Sequence, residues 1–396
     1  MSVSEVLRVA GRGEGVTADG RFVPFTAPGD MVDAHGAVTR GPHHQEPPCR
    51  HFPECGGCQL QHLDDIAWSG FIVDRIAGAL AQHKLVTEIR PPALSPPRTR
   101  RRATLHAERR GRQVLLGFTG QGSHTLIDLA ECHVLDPELF ALLAPLRGLL
   151  AALLPTSRRI NVHLAKADQG VDVLLDGLEA EGLAAAEAIT AFAHRHQLAR
   201  FSMDEGLGPT ARWEPDPVTI TLGGVPVPFP QGNFLQATPE GEAALVAAVR
   251  EIAGDAGTVA DLFAGLGTFT FAFPKAKVYA AEAARDSILS LKAAAGSARR
   301  MVFADHRDLF RRPVTAADLD KFEALVIDPP RAGAREQAGE MAKARAPVIA
   351  YVSCNPNTFA RDAEMLCEGG YRLDWIQPVG QFRWSTHVEL AAKFSR

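Results

Sequence analysis

The chain has 396 residues, 46% of them hydrophobic and 22% charged, and its formal net charge at pH 7 is -4. At roughly 100 to 200 residues per domain, this length predicts two or three domains, and the composition excludes a disordered or fibrous chain. The longest apolar segment, residues 140–154, is interrupted by Pro145 and Arg147 and is shorter than the ~20 residues that a membrane span needs. We therefore expect a helix there and no membrane partner.

The N-terminal part of the chain predicts a small β-structure followed by a linker. Residues 1–5 lack the charged region and apolar core of a secretory signal, so a cytoplasmic protein is expected. Short strand-like runs separated by glycines continue to about residue 41 and are typical of a fragment of a small β-barrel. The segment from Thr39 to Pro48 is rich in Pro and His, as linkers are.

Three of the six cysteines lie within ten residues, at Cys49, Cys55 and Cys58. In a cytosolic protein this grouping favours a metal ion or a cluster over disulfides, and a closed site needs a fourth ligand. The candidates for that ligand are Cys132, Cys354, Cys367 and a nearby histidine. Cys132 is favoured because it follows a strand-like run. Zinc and an iron-sulfur cluster both fit four thiolates, and the spacing does not separate them.

A basic segment lies between residues 98 and 112, where seven arginines accompany one acid, Glu108. Such an excess can neutralise the phosphates of a polyanion, which makes Arg100, Arg101 and Arg102 candidate contacts. A solvated charged face is the alternative.

Periodicity predicts helices over residues 66–84 and 183–196 and strands over residues 102–119 and 123–129. None of these elements indicates a reaction.

Residues 218–229 alternate apolar and polar residues around two glycines and predict a hairpin. The loop that follows carries Gln236, whose amide suits a base edge or a nucleoside. Capping and packing ahead of a helix over residues 239–252 is the alternative role for this loop.

A glycine loop follows the next predicted strand, in the segment that opens at Thr258. The strand runs into Gly265 and Gly267 and then a predicted helix, so backbone amides can approach a ligand without a Cβ in the way. The lack of a third spaced glycine and the acid Asp261 at the strand end argue against a dinucleotide. They favour an adenosyl group with a methionine tail.

The following predicted strands also end in reactive residues. Glu282 lies 21 residues after Asp261 and suits ribose hydroxyls, and Asp305 suits the adenine side. Asp328 and Cys354 each come after a short apolar run, and prolines follow, directly after Asp328 and after Asn355 in the case of Cys354. Ligands bind at the carboxyl ends of the strands in open α/β sheets, so one crevice is predicted for these residues. The alternative for Cys354 by itself is a small buried hydrophobic residue.

With these segments in place, the chain resembles the RNA 5-methyluridine (uracil-C5) methyltransferases, which use S-adenosyl-L-methionine. The resemblance rests on Asp261 to Gly267, Asp328-Pro329-Pro330-Arg331, Ser353-Cys354-Asn355-Pro356 and His387-Val388-Glu389. It extends to Phe234-Leu235-Gln236, to residues 100–132 and to Cys49, Cys55, Cys58 and Cys132. The four cysteines resemble the [4Fe-4S] site of the branch that acts on 23S ribosomal RNA.

The resemblance implies an α/β fold with three parts. The expected parts are a short TRAM-like β-barrel segment at 1–41, an α+β iron-sulfur and RNA-binding domain at 42–217, and a class I (Rossmann-like) S-adenosylmethionine-dependent methyltransferase domain at 218–396. The barrel is short for the family, and Thr268 and Phe382-Arg383 stand where the family usually has Asn and Phe-Pro. Neither departure removes a proposed catalytic group.

The resemblance also implies roles for individual residues. Cys354 is the expected nucleophile that adds to carbon 6 of uracil, and Glu389 is the expected base that removes the proton from carbon 5. Expected substrate contacts are Gln236, Asp328, Arg100, Arg101 and Arg102. Expected cofactor contacts are Gln236, Asp261, Phe263, Gly265, Gly267, Glu282, Asp305 and Asp328. Expected cluster ligands are Cys49, Cys55, Cys58 and Cys132.

The expected substrate is RNA, with 23S rRNA favoured by the cluster and tRNA as the alternative. The enzyme is expected to be a monomer. Two hypotheses of other kinds compete. A methyltransferase that acts on an exocyclic amine would have no use for Cys354, and a non-enzymatic RNA-binding module with a retained methyltransferase fold would form no covalent adduct.

Overall fold

The structure is a computed structural model that describes residues 3–396. Two compact units can be distinguished. The first comprises the described residues up to Phe71, Ser95–Asp216 and Phe382–Thr386. The second comprises Ile72–Leu94, Pro217–Gln381 and His387–Arg396. The division at 216/217 lies beside the expected limit at 217/218. Residues 72–94 belong to the second unit although the residues on either side of them belong to the first, and residues 382–386 belong to the first unit although their neighbours in sequence belong to the second. The three-part division stays a prediction.

The first unit begins with a small antiparallel sheet. Its strands are β1 (Ser4–Val9), β2 (Gly15–Thr17), β3 (Phe22–Val23), β4 (Met31–Val32) and β5 (Val38–Thr39). They pair in the order β3-β2-β1-β4-β5. The fully buried Asp30 accepts the N–H groups of Ala27 and Gly41, which fixes the turn that leads into β4. The predicted short strands are confirmed, and closure into a barrel stays a prediction.

The helix predicted over residues 66–84 is confirmed as α1 (Asp65–Gln82). Asp64 caps its first turn, since Oδ1 accepts the Ala67 N–H at 2.7 Å. Two short strands follow, β6 (Glu88–Ile89) and β7 (Ala93–Leu94).

A six-stranded sheet forms the body of the first unit. Its strands are β8 (Arg102–Arg110), β9 (Gln113–Gly117), β10 (Arg159–Ala167), β11 (Gly170–Asp176), β12 (Arg200–Asp204) and β13 (Pro209–Trp213). Its helices are α2 (Pro137–Ala141), α3 (Leu143–Leu153) and α4 (Leu183–Arg195). The strand order is β13-β12-β11-β10-β8-β9. Every second residue of β8 and β10 is buried, because one face of the sheet packs on the leucine-rich helices.

The strand predicted over residues 123–129 is wrong. The segment makes an isolated bridge to Thr119 and donates backbone hydrogen bonds to the carbonyls of Phe118 and Leu116, but it does not form a strand. The Asp128 side chain accepts the Leu116 N–H at 3.0 Å and pairs with Arg147 at 2.7 Å. A side chain thus takes the place of a backbone partner, and the ladder does not extend.

The second unit is built around a nine-stranded sheet. It is preceded by the hairpin strands β14 (Thr219–Leu222) and β15 (Val225–Pro228). The later strands are β16 (Thr258–Leu262), β17 (Lys277–Glu282), β18 (Val302–His306), β19 (Ala324–Ile327), β20 (Val348–Ser353), β21 (Arg372–Gly380) and β22 (Glu389–Ser395). The helices are α5 (Pro239–Ala253), α6 (Arg285–Ser297), α7 (Ala316–Leu319), α8 (Arg335–Lys343) and α9 (Pro356–Glu368). The predicted hairpin is confirmed, and its turn has positive φ at both Gly223 and Gly224.

The strands of this sheet follow the order β18-β17-β16-β19-β20-β22-β21-β6, and β7 also pairs with β21. The strands from β16 to β20 are mutually parallel, and β22 is antiparallel to both of its neighbours. β19 is buried throughout, as expected for a parallel strand covered on both faces. The predicted α/β fold of this region is confirmed.

The helix predicted directly after Gly267 is wrong. Only a short 3-10 turn forms, Thr270–Ala272. Pro274 follows within two residues of its end and supplies no N–H for a longer helix. Within residues 3–396, no helix combines the length and apolar character required to cross a bilayer.

Candidate active site

The predicted reactive residues of the second unit lie at one edge of its sheet. β16 is the switch point, since β17 pairs with it on one side and β19 on the other, and ligands of open α/β sheets bind at such a point. Asp261, Glu282, Asp328 and Cys354 stand at or directly after the carboxyl ends of parallel strands. Glu389 joins them because it is the first residue of the antiparallel β22.

The loop after β16 adopts a left-handed backbone conformation at three positions. The angle φ is 63° at Phe263, 55° at Gly265 and 98° at Gly267. A Cβ on Gly267 would lie 2.7 Å from the Phe271 ring, so this position requires glycine for space as well as for conformation. The turn exposes backbone where a ligand is predicted to bind.

Glu282 fastens this glycine loop to the end of β17. Its Oε2 accepts the Gly265 N–H at 2.9 Å, and its Oε1 accepts the Ala284 N–H at 2.6 Å. The two bonds fix the orientation of the carboxylate at the strand end. Its contact with ribose stays a prediction.

Asp261 is fully buried beneath the same loop. Thr270 Oγ1 donates to its Oδ2 at 2.6 Å, whereas its Oδ1 has no hydrogen-bond partner among the described residues. Burial raises the pKa of Asp261 to about 7, and the Glu282 carboxylate adds to the shift. The structure therefore gives Asp261 a role in supporting the loop, and its direct contact with a cofactor stays a prediction.

Asp305 contacts two polar side chains, one on β17 and one directly after β18. Tyr279 Oη donates to its Oδ2 at 2.7 Å, and the Arg307 guanidinium lies 3.5 Å from the same oxygen. An adenine contact of Asp305 stays a prediction. A ligand that binds there would contact a carboxylate that Tyr279 and Arg307 also contact.

Cys354 lies among carboxylates. Burial raises the pKa of its thiol to about 11, and the negative charges of Glu389 and Asp328 act in the same direction, against Arg331. Burial also raises the pKa of Asp328 well above its usual range, with Glu389 as the second cause. These three side chains are thus close enough to change one another's protonation.

Two turns that carry the reactive residues are fastened to each other. Asn355 caps α9 by accepting the Asn357 N–H at 3.2 Å, and its Nδ2 donates to the Arg331 carbonyl at 3.0 Å. Thr358 Oγ1 donates to the same carbonyl at 3.2 Å. The turn after Asp328 and the turn at Cys354 therefore cannot move independently.

Comparison with known proteins identifies this arrangement. The family model described as tRNA (Uracil-5-)-methyltransferase matches residues 229–396. A protein of Zymomonas mobilis named as an uncharacterized RNA methyltransferase is 48% identical over 396 residues, which cover 100% of both chains. The chain belongs to the RNA methyltransferase family of this relative, and its C-terminal part matches the uracil-5 family model.

Two other similar proteins differ in their named substrates. The 23S rRNA (uracil(1939)-C(5))-methyltransferase RlmD of Erwinia tasmaniensis is 29% identical and covers 91% of this chain and 84% of its own length. The crystal structure of the Pyrococcus abyssi tRNA (uracil-54, C5)-methyltransferase with S-adenosyl-L-homocysteine has a TM-score of 0.75 at 22% identity, and it covers 99% of each chain. This similarity supports the fold.

The family motif that contains Gln236 is buried in the second unit. Gln236 is 3% exposed, and its Oε1 accepts Gln381 Nε2 at 2.9 Å. Sequence analysis missed Gln381 as well as Thr270 and Tyr279. The only local signal for Gln381 is a polar residue directly after the apolar end of β21.

The cysteines that the resemblance implies as ligands meet in the first unit. Cys49, Cys55, Cys58 and Cys132 line one cavity. Burial raises the pKa of all four thiols, that of Cys58 to about 12. Cys354 and Cys367 are not among the residues that line it. Across the described chain, no three His, Cys, Asp or Glu side chains converge on the position of a single metal ion.

Backbone amides point at the sulfur atoms of this cavity. The Leu135 N–H donates to Cys132 Sγ at 3.5 Å. The Gly57 N–H is directed at the Cys55 sulfur, and the His51 N–H at that of Cys49. Such donors stabilise thiolates and tune bound clusters.

Arg100 also lines the cysteine cavity. Its Nε donates to the Arg102 carbonyl at 3.1 Å, and its guanidinium lies 5.8 Å from the centre of the Phe382 ring. Burial lowers its pKa, while the thiols of Cys58 and Cys132 oppose the shift. The expectation that Arg100 binds RNA is untested, and its position supports a role at the cysteines.

Proposed function

We propose that this protein transfers a methyl group from S-adenosyl-L-methionine to carbon 5 of a uridine in RNA through a covalent bond between Cys354 and carbon 6 of uracil. The observation that carries the proposal is the convergence of Cys354, Asp328 and Glu389 at the switch-point edge of the sheet. A methyltransferase of an exocyclic amine needs no such thiol.

The chemistry follows from the weakness of carbon 5 of uracil as a nucleophile. The Cys354 thiolate adds to carbon 6, and the electrons of the carbon 5–carbon 6 double bond move onto the ring as an enolate. Bound S-adenosyl-L-methionine supplies the electrophilic methyl group that carbon 5 attacks. Glu389 then takes the proton from carbon 5, the double bond re-forms, and the Cys354 sulfur leaves as a thiolate.

The raised pKa values indicate which protonation state is favoured for each group before the substrate binds. Cys354 rests as a thiol, since its pKa is about 11. Burial and the charge of Glu389 raise the pKa of Asp328 well above its usual range, which favours the protonated carboxyl group, and in that form it would donate a hydrogen bond to a uracil carbonyl as the enolate develops. As the substrate binds, the Cys354 proton would pass to solvent water, with Arg331 favouring the thiolate that remains.

The glycine loop and the strand-end acids would hold the methyl donor. The backbone at Phe263, Gly265 and Gly267 would approach its adenosyl part, and Glu282 and Asp305 would receive hydrogen bonds from it. Asp261 would contribute from beneath the loop through its bond to Thr270. The target uridine must leave its stack to enter this site, at a cost of ~a few kcal/mol, which favours a loop or remodelled RNA.

We propose a [4Fe-4S] cluster on Cys49, Cys55, Cys58 and Cys132. The fit rests on the shared cavity and on the amides directed at the sulfurs. Four thiolates suit zinc as well as a four-iron cluster, and the cluster is preferred because the four cysteines resemble the [4Fe-4S] site of the 23S rRNA branch. Methyl transfer requires no electron, so the cluster would stabilise the first unit. This site favours 23S rRNA over tRNA as the substrate, and the Erwinia relative is named for 23S rRNA.

The test is covalent trapping with RNA that contains 5-fluorouridine, in the presence of S-adenosyl-L-methionine. Fluorine cannot leave carbon 5 as a proton does, so the adduct should persist and migrate as a protein–RNA band in a denaturing gel. Cys354→Ala should give no band, whereas Cys367→Ala, the matched control, should trap as the unmodified protein does. RNA binding without a trapped adduct would instead indicate a non-enzymatic module, and methylation that survives in Cys354→Ala would indicate an amine methyltransferase.

A further inference from the structure

A buried pair of amide side chains joins two segments of the second unit beside the catalytic edge. Gln381 is 1% exposed and follows β21 directly, two residues beyond Val379, which pairs with Glu389. Its partner is Gln236, in the loop before α5. The pair therefore lies at the same sheet edge as the proposed base.

A backbone donor determines which way the Gln381 amide points. The Ala237 N–H donates to Gln381 Oε1 at 2.9 Å. A backbone N–H can only donate, so the oxygen end of Gln381 must face Ala237 and the nitrogen end must face Gln236. Gln381 Nε2 then donates to Gln236 Oε1 at 2.9 Å. Because Nε2 can only donate, Gln236 must present its oxygen to Gln381, and its own Nε2 lies on the opposite side of the amide.

Close packing holds Gln381 in this position. The first turn of α5 is capped by Thr238, whose Oγ1 accepts the Gly241 N–H at 3.0 Å. A Cβ added to Gly241 would lie 2.5 Å from the Gln381 Cβ. The absence of a side chain at Gly241 therefore lets Gln381 reach Ala237 and Gln236 together.

We propose that Gln381 is a positioning residue that fixes the orientation of the Gln236 amide, so that Gln236 acts as a hydrogen-bond donor to an acceptor oxygen of a bound ligand. The inference rests on the proposed function. Two ligands carry such an oxygen at this site, the carboxylate of the methyl donor and a carbonyl of uracil. A donor at this position also disfavours an amino group in place of the carbonyl, since two donors would face each other.

The test changes the direction of the hydrogen bond between Gln381 and Gln236 by substitutions that keep the size of the side chain. In Gln381→Glu an ionised carboxylate still accepts the Ala237 N–H but cannot donate to Gln236, which then turns its Nε2 inward and its oxygen toward the ligand. Gln236→Glu removes the donor directly while it keeps an oxygen for Gln381. Gln377→Glu is the matched control, because it makes the same change on β21 where the amide donates to the carbonyls of Pro91 and Pro378.

Two affinities distinguish the ligands. Binding of S-adenosyl-L-homocysteine by calorimetry reports the carboxylate, and binding of substrate RNA reports the uracil carbonyl. In Gln381→Glu and Gln236→Glu, the affinity for the ligand whose oxygen contacts Gln236 should fall about 10- to 100-fold. Gln377→Glu should leave the affinities for both ligands unchanged. The ratio of the Gln381→Glu to the unmodified dissociation constant should also rise between pH 4 and pH 8, because the ordinary pKa of Glu is ~4.3, burial raises it, and only the protonated Glu can donate as Gln does.

Unchanged affinities for both ligands in folded Gln381→Glu and Gln236→Glu overturn the proposal, as does a loss that is independent of pH. If Gln381→Glu does not fold, Gln236→Glu decides. Failure of the proposed function is separate, because it shows as the absence of a trapped adduct in the unmodified protein, whereas ligand binding is measured without turnover.

Discussion

Four thiols and the Arg100 guanidinium line one cavity in the first unit, whereas Cys354 in the second unit lies near Asp328 and Glu389. Burial raises the pKa in both places. The further causes of the pKa shift differ between the two places. Backbone amides and Arg100 favour the thiolate at Cys132, whereas two carboxylates disfavour it at Cys354.

This difference suits the two uses that we propose for the thiols. A metal cluster displaces the protons of its ligands permanently, and the amides and the guanidinium then offset the negative charge that remains. A nucleophile must lose its proton only while the substrate is bound, and carboxylates keep it protonated and less reactive until then. Proximity of charge, more than burial, separates the two sites.

The largest expected effect concerns the base of the second site. Glu389→Gln should still form the bond between Cys354 and carbon 6 but should fail to release the product, because no carboxylate removes the proton from carbon 5. Turnover should fall about 10²- to 10⁴-fold, and a covalent adduct should accumulate with ordinary uridine RNA. Gel analysis of the adduct tests this, with Glu364→Gln on α9 as a control. Normal turnover in Glu389→Gln would remove Glu389 from the mechanism.

The first site should respond to loss of a ligand and leave the nucleophile intact. Cys55→Ser, made and purified without oxygen, should lose iron, its brown colour and part of its thermal stability, since a cluster held by four thiolates contributes to folding. Iron analysis and absorbance measure this against Cys367→Ser. Stoichiometric zinc in the unmodified protein would contradict the cluster.

A smaller effect follows from the buried Asp261. Its folded pKa of about 7 lies above its unfolded value of ~3.9, so its proton binds more tightly in the folded state. The associated stability is fully present below about pH 4 and is lost as pH rises through about 7. Asp261→Asn should remove this loss, and melting temperatures from pH 4 to pH 8 should fall less steeply for the variant. Parallel curves would show that Asp261 does not titrate in this range.

The smallest effect concerns RNA affinity. Replacing Arg101 and Arg102 by Ala should weaken RNA binding severalfold and flatten its dependence on salt by about one unit of slope for each lost phosphate contact. Arg100→Lys should change the absorbance of the cysteine site and leave the salt slope as it is. The reverse pattern would place Arg100 at the RNA and separate it from the thiols.

Local pattern in the sequence predicted which side chains lie at the carboxyl ends of the strands. Short apolar runs that lead to Asp328 and Cys354 are strand ends, because buried parallel strands have continuous apolar runs and the prolines that follow stop the ladder. After Asp261 the glycine loop has this role. The chain also determines by spacing alone that Cys49, Cys55 and Cys58 lie close together.

Tertiary structure decided what depends on partners distant in sequence. Gln236 and Gln381 are 145 residues apart, so no local pattern indicated that one orients the other. Arg100 belongs to a basic run, and only the fold turns it toward the cysteines. Sequence therefore determined which groups end each strand, since backbone preference is local, whereas the direction and charge state of those groups depend on neighbours that folding supplies.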